Sequence, residues 1–319
     1  MKLIILLFIS FILIQPAEST VIFSEDFSEW SDFYFDSGYV YSGIGGWTVA
    51  SGSVGADTAY SETYYAAEIT QPGRSGASDR CMKQWRHDTY DFYDAGLNYR
   101  EADLHTTRTL HIRWYMKIPA DFEGTCTSGT MNYQKISRYS ASVDVAGYEL
   151  THSLIYLNFN GSSFSGANMQ ITTTPTGGSW FTLKSVASMN DGEWHRHELM
   201  MKLNTEGNSD AEIKYWYDDA AESAPTVSSS GITWGSLDAE YFSRADFGLG
   251  NTGLRTTGEC TSGSYQSSWV AIEFDDYVLS DSYIGTSGST PSSSSYGSVK
   301  TGGSSSIKSG GPNSIRSAE

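Results

Sequence analysis

The feature that most limits the fold of this chain is a repeated alternation of apolar and polar residues in short segments. Clusters of Gly, Ser, Asn, Asp and Pro separate these segments, and no apolar stretch with helical spacing is long enough to compete. The pattern predicts an all-β protein, an antiparallel jelly-roll β-sandwich with at most one short helix, at residues 78–93. The predicted strands are residues 21–27, 109–118, 150–159, 194–203, 213–218 and 269–279.

The charge of the chain limits its partners. Its 319 residues include 37 acidic and 20 basic side chains, which gives a net charge of −17. Proteins bind nucleic acid largely through Lys and Arg side chains that neutralise phosphates, so we expect no nucleic-acid partner. Only 18 % of the residues are charged and 14 % are aromatic, a composition unlike that of a coiled coil or a charged disordered chain.

The two ends of the chain differ in composition from the middle. Residues 3–14 form an apolar run between Met1-Lys2 and a Gln-Pro-Ala exit, the pattern of a secretory signal peptide. This run is too short for a membrane-spanning helix, which needs about 20 apolar residues. Residues 286–319 are rich in Ser and Gly and hold almost no large apolar side chain, which predicts disorder. We therefore expect a signal peptide over residues 1–17, one jelly-roll domain over 18–285 and a disordered tail over 286–319, in a secreted monomer without a membrane span.

Five segments carry a resemblance to a known family. They are residues 191–195 (Asp-Gly-Glu-Trp-His), 201–205 (Met-Lys-Leu-Asn-Thr), 213–218 (Ile-Lys-Tyr-Trp-Tyr-Asp), 110–119 and 274–280. With these segments the chain resembles the concanavalin A-like jelly rolls of lectins and glucanases. Among them it is similar to secreted polysaccharide lyases related to heparin lyase I and to alginate and glucuronan lyases. The resemblance spans about residues 21–285 and implies the jelly-roll fold and a polysaccharide partner.

The chain has three cysteines. Cys126 and Cys260 lie in matching loops, Gly-Thr-Cys-Thr-Ser-Gly and Gly-Glu-Cys-Thr-Ser-Gly. In an exported protein we expect a disulfide between these two, which leaves Cys81 unpaired. The alternative is that all three cysteines are unpaired.

Two carboxylates fall among apolar residues. Alternation puts Glu25 on the face of Phe23 in the first strand, and Asp276 on the face of Phe274 in the last. A buried carboxylate is costly unless it is paired or bound to a metal. If the two strands are neighbours, the pair can hold a calcium ion, with backbone carbonyls completing the oxygen shell. Related jelly-roll folds carry a structural calcium, so the resemblance supports this site; the alternative is that the carboxylates cap loops at strand ends.

Two rows of polar side chains are candidates for a binding surface. In segment 109–118 the side chains of one face are His111, Arg113, Tyr115 and Lys117. In segment 150–159 a second row is formed by His152, Tyr156 and Asn158, and between the segments lie Gln134, Lys135 and Arg138. In so acidic a chain, these cations suggest the floor of a groove for an anionic or hydroxyl-rich polymer.

The residue types in these rows match the needs of β-elimination on a uronate polymer. The carboxylate beside C5 must be neutralised, the C5 proton removed and the leaving glycosidic oxygen protonated. Arg, Gln, Lys or protonated His suits the first task, and His or Tyr suits the other two. The expected catalytic residues are His111, Arg113, Lys135, His152 and Tyr156. The expected substrate-binding residues are Tyr115, Gln134, Arg138, Asn158 and Trp216.

Other functions stay open at this point. The Arg-x-Glu-Leu-Arg and Gln-Ile-His signatures of alginate lyases do not occur, and neither does the Glu-x-Asp-x-x-Glu run of laminarinases. The main alternative is a non-catalytic carbohydrate-binding module of lectin or laminin-G-like type. A structural matrix or surface protein tethered by its tail is the third.

Two histidines near the middle of the chain invite a metal interpretation. His195 and His197 alternate with Arg196 and share a face with Leu199 and Met201. We therefore expect core histidines here rather than metal ligands.

Overall fold

A computed structural model of the protein describes residues 20–28, 30–31, 33–34, 40–44, 47–51, 54–57, 62–65, 67–86, 96–99, 104, 107–120, 133–142, 151–160, 163–173, 177–185, 189–233, 241–247 and 270–286. These residues contain no α-helix, and hence none long and apolar enough to cross a membrane. The strands are β1 (Val21–Glu25), β2 (Phe33–Tyr34), β3 (Val40–Ile44), β4 (Trp47–Ser51), β5 (Val54–Asp57), β6 (Glu62–Tyr65), β7 (Ala67–Thr70), β8 (Cys81–Arg86), β9 (Gly96–Tyr99), β10 (Thr109–Lys117), β11 (Tyr133–Ser142), β12 (Thr151–Asn160), β13 (Ser163–Thr173), β14 (Gly177–Ser185), β15 (Trp194–Lys202), β16 (Ala211–Tyr217), β17 (Val227–Ile232), β18 (Tyr241–Phe247) and β19 (Val270–Ser280).

The strands form two large antiparallel sheets and a separate hairpin. Sheet A has the order β17-β16-β15-β10-β19-β8-β7-β2, and β1 also pairs with β19. Sheet B has the order β14-β13-β12-β11-β18-β9-β4-β3, and β5 pairs with β6. The chain crosses between the sheets repeatedly, because β11–β14 and β18 belong to sheet B whereas β10, β15–β17 and β19 belong to sheet A. The predicted antiparallel jelly-roll β-sandwich is confirmed.

Aromatic side chains from both sheets form the centre of the core. Phe247 of sheet B packs against Phe274 of sheet A, with ring centroids 5.1 Å apart. Trp47 of sheet B and Tyr277 of sheet A lie 5.2 Å apart, and all four rings are buried. Burying a large apolar side chain contributes roughly 1.5–3 kcal/mol, so these contacts hold the two sheets together.

Strand β10 shows how the alternation divides side chains between two faces. Leu110, Ile112 and Trp114 belong to the core between the sheets. Successive side chains of a strand point to opposite faces, so His111 and Arg113 lie on the outer face of sheet A. This division was predicted from the sequence.

A β-bulge in β19 changes the faces of its residues. The register between β10 and β19 shifts between Arg113 and Tyr115, and Asp276 has a φ of 47°, in the left-handed region. Asp tolerates this region better than most residues, and an extra residue in one strand reverses the alternation beyond it. Tyr277 takes the core position instead. The prediction that Asp276 shares the apolar face of Phe274 is therefore wrong.

All six predicted strand segments are strands, and their ends differ from the prediction by two residues at most. The short helix expected at residues 78–93 is wrong for the part that the structure describes. There, β8 pairs with β7 on one side and β19 on the other, because sheet pairing overrides local helix propensity. The predicted signal peptide, and the predicted tail beyond residue 286, lie outside the described residues.

Candidate functional site

The outer face of sheet B carries the second of the two polar rows. In β12, Ile155 and Leu157 are buried core residues. The positions of His152, Tyr156 and Asn158 alternate with them, so these positions lie on the face that points away from sheet A. Three of the predicted site residues therefore share one surface.

The register of β11 against β12 brings further predicted residues to the same surface. Lys135 pairs with Tyr156, and Ser140 pairs with His152. Arg138 lies between these two pairs along β11. Neighbouring strands are about 4.8 Å apart and residues rise about 3.3 Å along a strand, so the His152 position is about 13 Å from that of Tyr156.

Gln134 falls outside this arrangement. Its register partner is Leu157, a core residue. The register therefore does not place Gln134 in the row of Lys135 and Tyr156, although Gln134 is adjacent to Lys135 in sequence.

Strand β18 adds an ion pair to sheet B that the sequence reasoning missed. The Arg244 Nε donates a hydrogen bond to Asp246 Oδ1 at 2.5 Å. Ala245 and Phe247 are core residues, so Arg244 and Asp246 alternate with them onto the outer face. The available signal was the Arg-x-Asp spacing on the polar face of an alternating segment.

The other two predicted catalytic residues lie in the other sheet. His111 is 6 % exposed and Arg113 only 2 %, both on the outer face of sheet A. Burial lowers the pKa of the Arg113 guanidinium below its ordinary value. This placement corrects the expectation of one shared groove, because His111 and Arg113 are on the opposite side of the sandwich from Lys135, His152 and Tyr156.

Residues 281–285, which we call the C-terminal strap, cover this part of sheet A. The Glu198 carboxylate is fully buried. It accepts hydrogen bonds from the backbone N–H of Ile284 at 2.7 Å, the backbone N–H of Gly285 at 2.9 Å and Arg196 Nη1 at 3.0 Å. Arg113 Nη1 donates to the Gly285 carbonyl at 3.1 Å. Arg113 thus binds main chain, a contact that connects residues far apart in sequence and that no local pattern indicates.

Two predicted substrate-binding aromatics belong to the same side of the sandwich. Trp216 is buried. Its ring packs at a tilt against Tyr283 of the strap, with ring centroids 5.0 Å apart, and its Nε1 donates to the Glu222 carbonyl at 3.1 Å. The guanidinium of Arg74 lies 4.1 Å from the centre of the Tyr115 ring. Both rings are therefore packed by the protein itself, which corrects the expectation that they line the groove.

Glu25 is buried, as the alternation predicted. Its Oε1 accepts a hydrogen bond from the Phe27 backbone N–H at 2.8 Å, and its Oε2 accepts one from the Trp30 indole at 3.0 Å. Burial raises the pKa of Glu25 to about 7, against the opposing effect of these two bonds. The carboxylate caps the end of β1, where Phe27 has a φ of 58°.

Asp276 and its neighbour Asp275 hold a loop against sheet A. The Arg74 guanidinium forms an ion pair with the Asp276 carboxylate, and the Arg74 backbone N–H donates to Asp275 Oδ2 at 2.9 Å. Burial raises the pKa of Asp275 to about 8, against the opposing hydrogen bond from Arg74. The bulge thus serves to bind residues 71–80.

These contacts bear on the predicted calcium site. The pairing of β1 with β19 puts Glu25 opposite Tyr277, one residue from Asp276, so the first and last strands are neighbours as predicted. Both carboxylates have protein partners, however, and a calcium ion would have to displace Arg74 from Asp276. Among the described residues, no group of three or more His, Cys, Asp or Glu side chains is arranged to hold a metal. Calcium stays a prediction.

Only one of the three cysteines, Cys81, lies within the described residues. Cys126 and Cys260 lie outside the described residues, so their disulfide stays a prediction. Cys81 is buried with a free thiol, and its Sγ donates to the Pro72 carbonyl at 3.3 Å. Burial raises the pKa of this thiol, which keeps it protonated and unreactive.

The two central histidines have different environments. His197 is buried. A hydrogen bond of 2.7 Å joins its Nδ1 to the Tyr215 hydroxyl, and its ring stacks on Trp114 with centroids 5.2 Å apart. The prediction of a core histidine is confirmed for His197. The same prediction is wrong for His195, which is only partly buried and lies at the start of β15 between two carboxylates. Its Nε2 is 3.0 Å from Asp191 Oδ1, and its Nδ1 is 3.0 Å from Asp218 Oδ2.

Comparison with known proteins yields structural similarity alone. No family model and no curated protein matches the chain. Similar solved structures include an endo-β-1,4-glucuronan lyase from the fungus Trichoderma reesei, with a TM-score of 0.49 and 14 % identity over 83 % of this chain and 98 % of that one. They also include a PL-14 alginate lyase from Aplysia kurodai (TM-score 0.44, 11 % identity, 67 % and 86 % covered) and the alginate lyase vAL-1 from Chlorella virus (0.44, 13 %, 74 % and 93 %).

Proposed function

We propose that the protein is a secreted polysaccharide lyase that cleaves a uronate polymer by β-elimination at the outer face of sheet B. The observation that carries the proposal is the pairing of Lys135 with Tyr156 on neighbouring strands of that face. Arg138, the next cation along β11, supports it. Together these positions supply a cation for the uronate carboxylate, a group that can exchange protons and a second cation beside it.

In the proposed reaction, Arg138 pairs with the carboxylate of the reacting uronate and so favours negative charge at C5. Lys135 stabilises Tyr156 as a phenolate, which removes the C5 proton. The electron pair of the C5–H bond forms the C4–C5 double bond, and the C4–O bond to the leaving sugar breaks. Tyr156 then returns its proton to the glycosidic oxygen. His152, about 13 Å along β12, contacts a neighbouring sugar.

A non-catalytic carbohydrate-binding module is the second candidate. The observation that favours it is the burial of His111 and Arg113 in sheet A, which removes two of the five expected catalytic residues from the surface. The fold and the polar face of sheet B would serve such a module equally well.

The two functions are separated by one assay. The protein is incubated with polyglucuronate, alginate, heparin and chondroitin sulfate, and the ultraviolet absorbance of an unsaturated uronate is followed. A lyase gives rising absorbance with at least one polymer, and the Tyr156→Phe variant slows that rise about 10²–10⁴-fold. Binding without any new absorbance would overturn the lyase proposal and leave the module.

A further inference from the structure

Asp246 is a fully buried carboxylate, although it lies on the outer face of sheet B. Most charged side chains on an outer face stay in water, because removing a carboxylate from water costs free energy unless it is paired and hydrogen-bonded. Asp246 is paired with Arg244, whose Nε lies 2.5 Å from its Oδ1. The Arg244 side chain is itself only 15 % exposed. This pair therefore belongs to the floor of the surface rather than to its solvated rim.

A second pair in the same protein shows what an ordinary surface pair looks like here. Lys214 and Glu212 also lie two residues apart on one strand, with Nζ and Oε1 2.9 Å apart. Their side chains are 32 % and 27 % exposed, and they lie in sheet A. The Arg244–Asp246 pair differs in its burial and in the face it occupies.

The register puts the pair among the residues of the proposed site. In the strand register, Arg244 of β18 lies opposite Ser140 of β11, and Ser140 lies opposite His152 of β12. Asp246 lies opposite Arg138 in the same register. Two strand spacings separate the Arg244 and His152 positions, about 10 Å, and Arg244 lies about 13 Å along the strands from the row of Lys135.

We infer that Asp246 is a positioning residue that holds Arg244 ready to bind a second uronate carboxylate, one or more sugars away from the bond that breaks. The inference rests on the proposed function. An Arg guanidinium binds a carboxylate best when its plane is fixed, and the bond from its Nε to Asp246 fixes that plane. The preferred substrate is therefore a polymer with carboxylates on neighbouring sugars.

Steady-state kinetics test the inference, with the rise in absorbance as the signal. Arg244→Lys keeps the charge beside Asp246 but loses the fork of donors. It should raise KM about tenfold and leave kcat within about twofold, because Arg244 contacts no reacting atom. Asp246→Asn should also raise KM. The KM of the double variant should be no higher than the higher of the two single-variant values, since the two residues act as a unit. Glu212→Gln is the matched control and should leave KM unchanged.

The substrate provides a second readout. With polyglucuronate in which half of the carboxyls are reduced to neutral sugars, wild-type KM should rise and the difference between wild type and Arg244→Lys should shrink. A purely structural defect would lower kcat or stability on both polymers alike, and that result would overturn the inference.

The outcomes separate this inference from the proposed function. If the wild type cleaves a polyuronate and Arg244→Lys keeps its KM, the inference fails and the proposed function stands. If Asp246→Asn folds and keeps its KM, the positioning role fails; if it does not fold, Arg244→Lys decides alone. If the wild type yields no unsaturated product, the lyase proposal fails. Binding is then measured by affinity electrophoresis in polyuronate gels instead of by kinetics. Equal retardation of the wild type and Arg244→Lys in these gels overturns the proposed carboxylate site.

Discussion

The backbone N–H of Gly285 donates a buried hydrogen bond of 2.9 Å to Glu198 Oε2, across 87 residues of the chain. The same carboxylate accepts from Ile284 and from Arg196. One side chain of β15 therefore fastens the C-terminal strap, residues 281–285, to the outer face of sheet A. It also accounts for the burial of His111 and Arg113 beneath the strap.

Glu198→Gln should lower the free energy of unfolding by about 3–5 kcal/mol, the usual cost of removing one partner from a buried ion pair. The substitution leaves the buried Arg196 without its charged partner. Urea unfolding followed by tryptophan fluorescence measures the change. Glu212→Gln is the control, because its ion pair is partly exposed and should contribute only about 0–1 kcal/mol. Equal effects of the two substitutions would contradict this account of the strap.

His195 should make stability fall as the pH rises above about 6.5. Burial disfavours its charged form, but hydrogen bonds to Asp191 and Asp218 outweigh burial and raise its pKa. A histidine whose pKa is higher in the folded state contributes stability that is fully present below the unfolded pKa of about 6.5 and is lost as pH rises through the folded pKa. Thermal melts from pH 6 upward should show this decline.

His197 should produce the opposite slope in acid. Burial, with the nearby His195 and Arg196 charges, lowers the pKa of His197 to about 3. The unfolded state therefore binds its proton first, so stability falls as pH drops from about 6.5 towards that value. His195→Gln should remove the loss of stability with rising pH and leave the loss in acid. A variant that still loses stability as the pH rises would show that another group causes this loss.

The sequence was sufficient for the fold because alternation is a local property that survives folding. Leu110, Ile112 and Trp114 reach the core because every second side chain of β10 faces it. Alternation also placed Glu25 correctly. It failed at Asp276, because one extra residue in a bulge reverses the faces and nothing in the Phe-Asp-Asp-Tyr sequence requires it.

The candidate site was harder to predict, because it depends on which strands become neighbours. Alternation showed that Arg113 and Tyr156 each face away from a core, but it could not show that their strands belong to opposite sheets. The strap covers Arg113 through a contact between residues 172 positions apart. Arg244 and Asp246 were missed because their importance comes from burial and from the pairing of β18 with β11.

Chelation tests the calcium prediction for Glu25 and Asp276. If an ion binds there, EDTA should lower the melting temperature and added calcium should restore it, since a ligand of the folded state stabilises by mass action. Arg74→Met should strengthen the effect, because it removes the cation that competes for Asp276. A melting temperature that ignores EDTA in both proteins would contradict the site.

The assignment of the two polar rows to different roles predicts opposite phenotypes for Arg113→Lys and Tyr156→Phe. Lys cannot reproduce the geometry of the Arg113 guanidinium beneath the strap, so the Gly285 carbonyl loses its donor, at a cost of about 1–3 kcal/mol in unfolding free energy. Because Arg113 lies in sheet A, kcat/KM on the polyuronate should not change. Tyr156→Phe removes only a hydroxyl, at a strand position that alternates with the core positions, and should change the melting temperature little. It should lower kcat by about 10²–10⁴, the usual contribution of a general acid or base. Loss of activity in a stably folded Arg113→Lys, with full activity in Tyr156→Phe, would move the reaction to the other sheet.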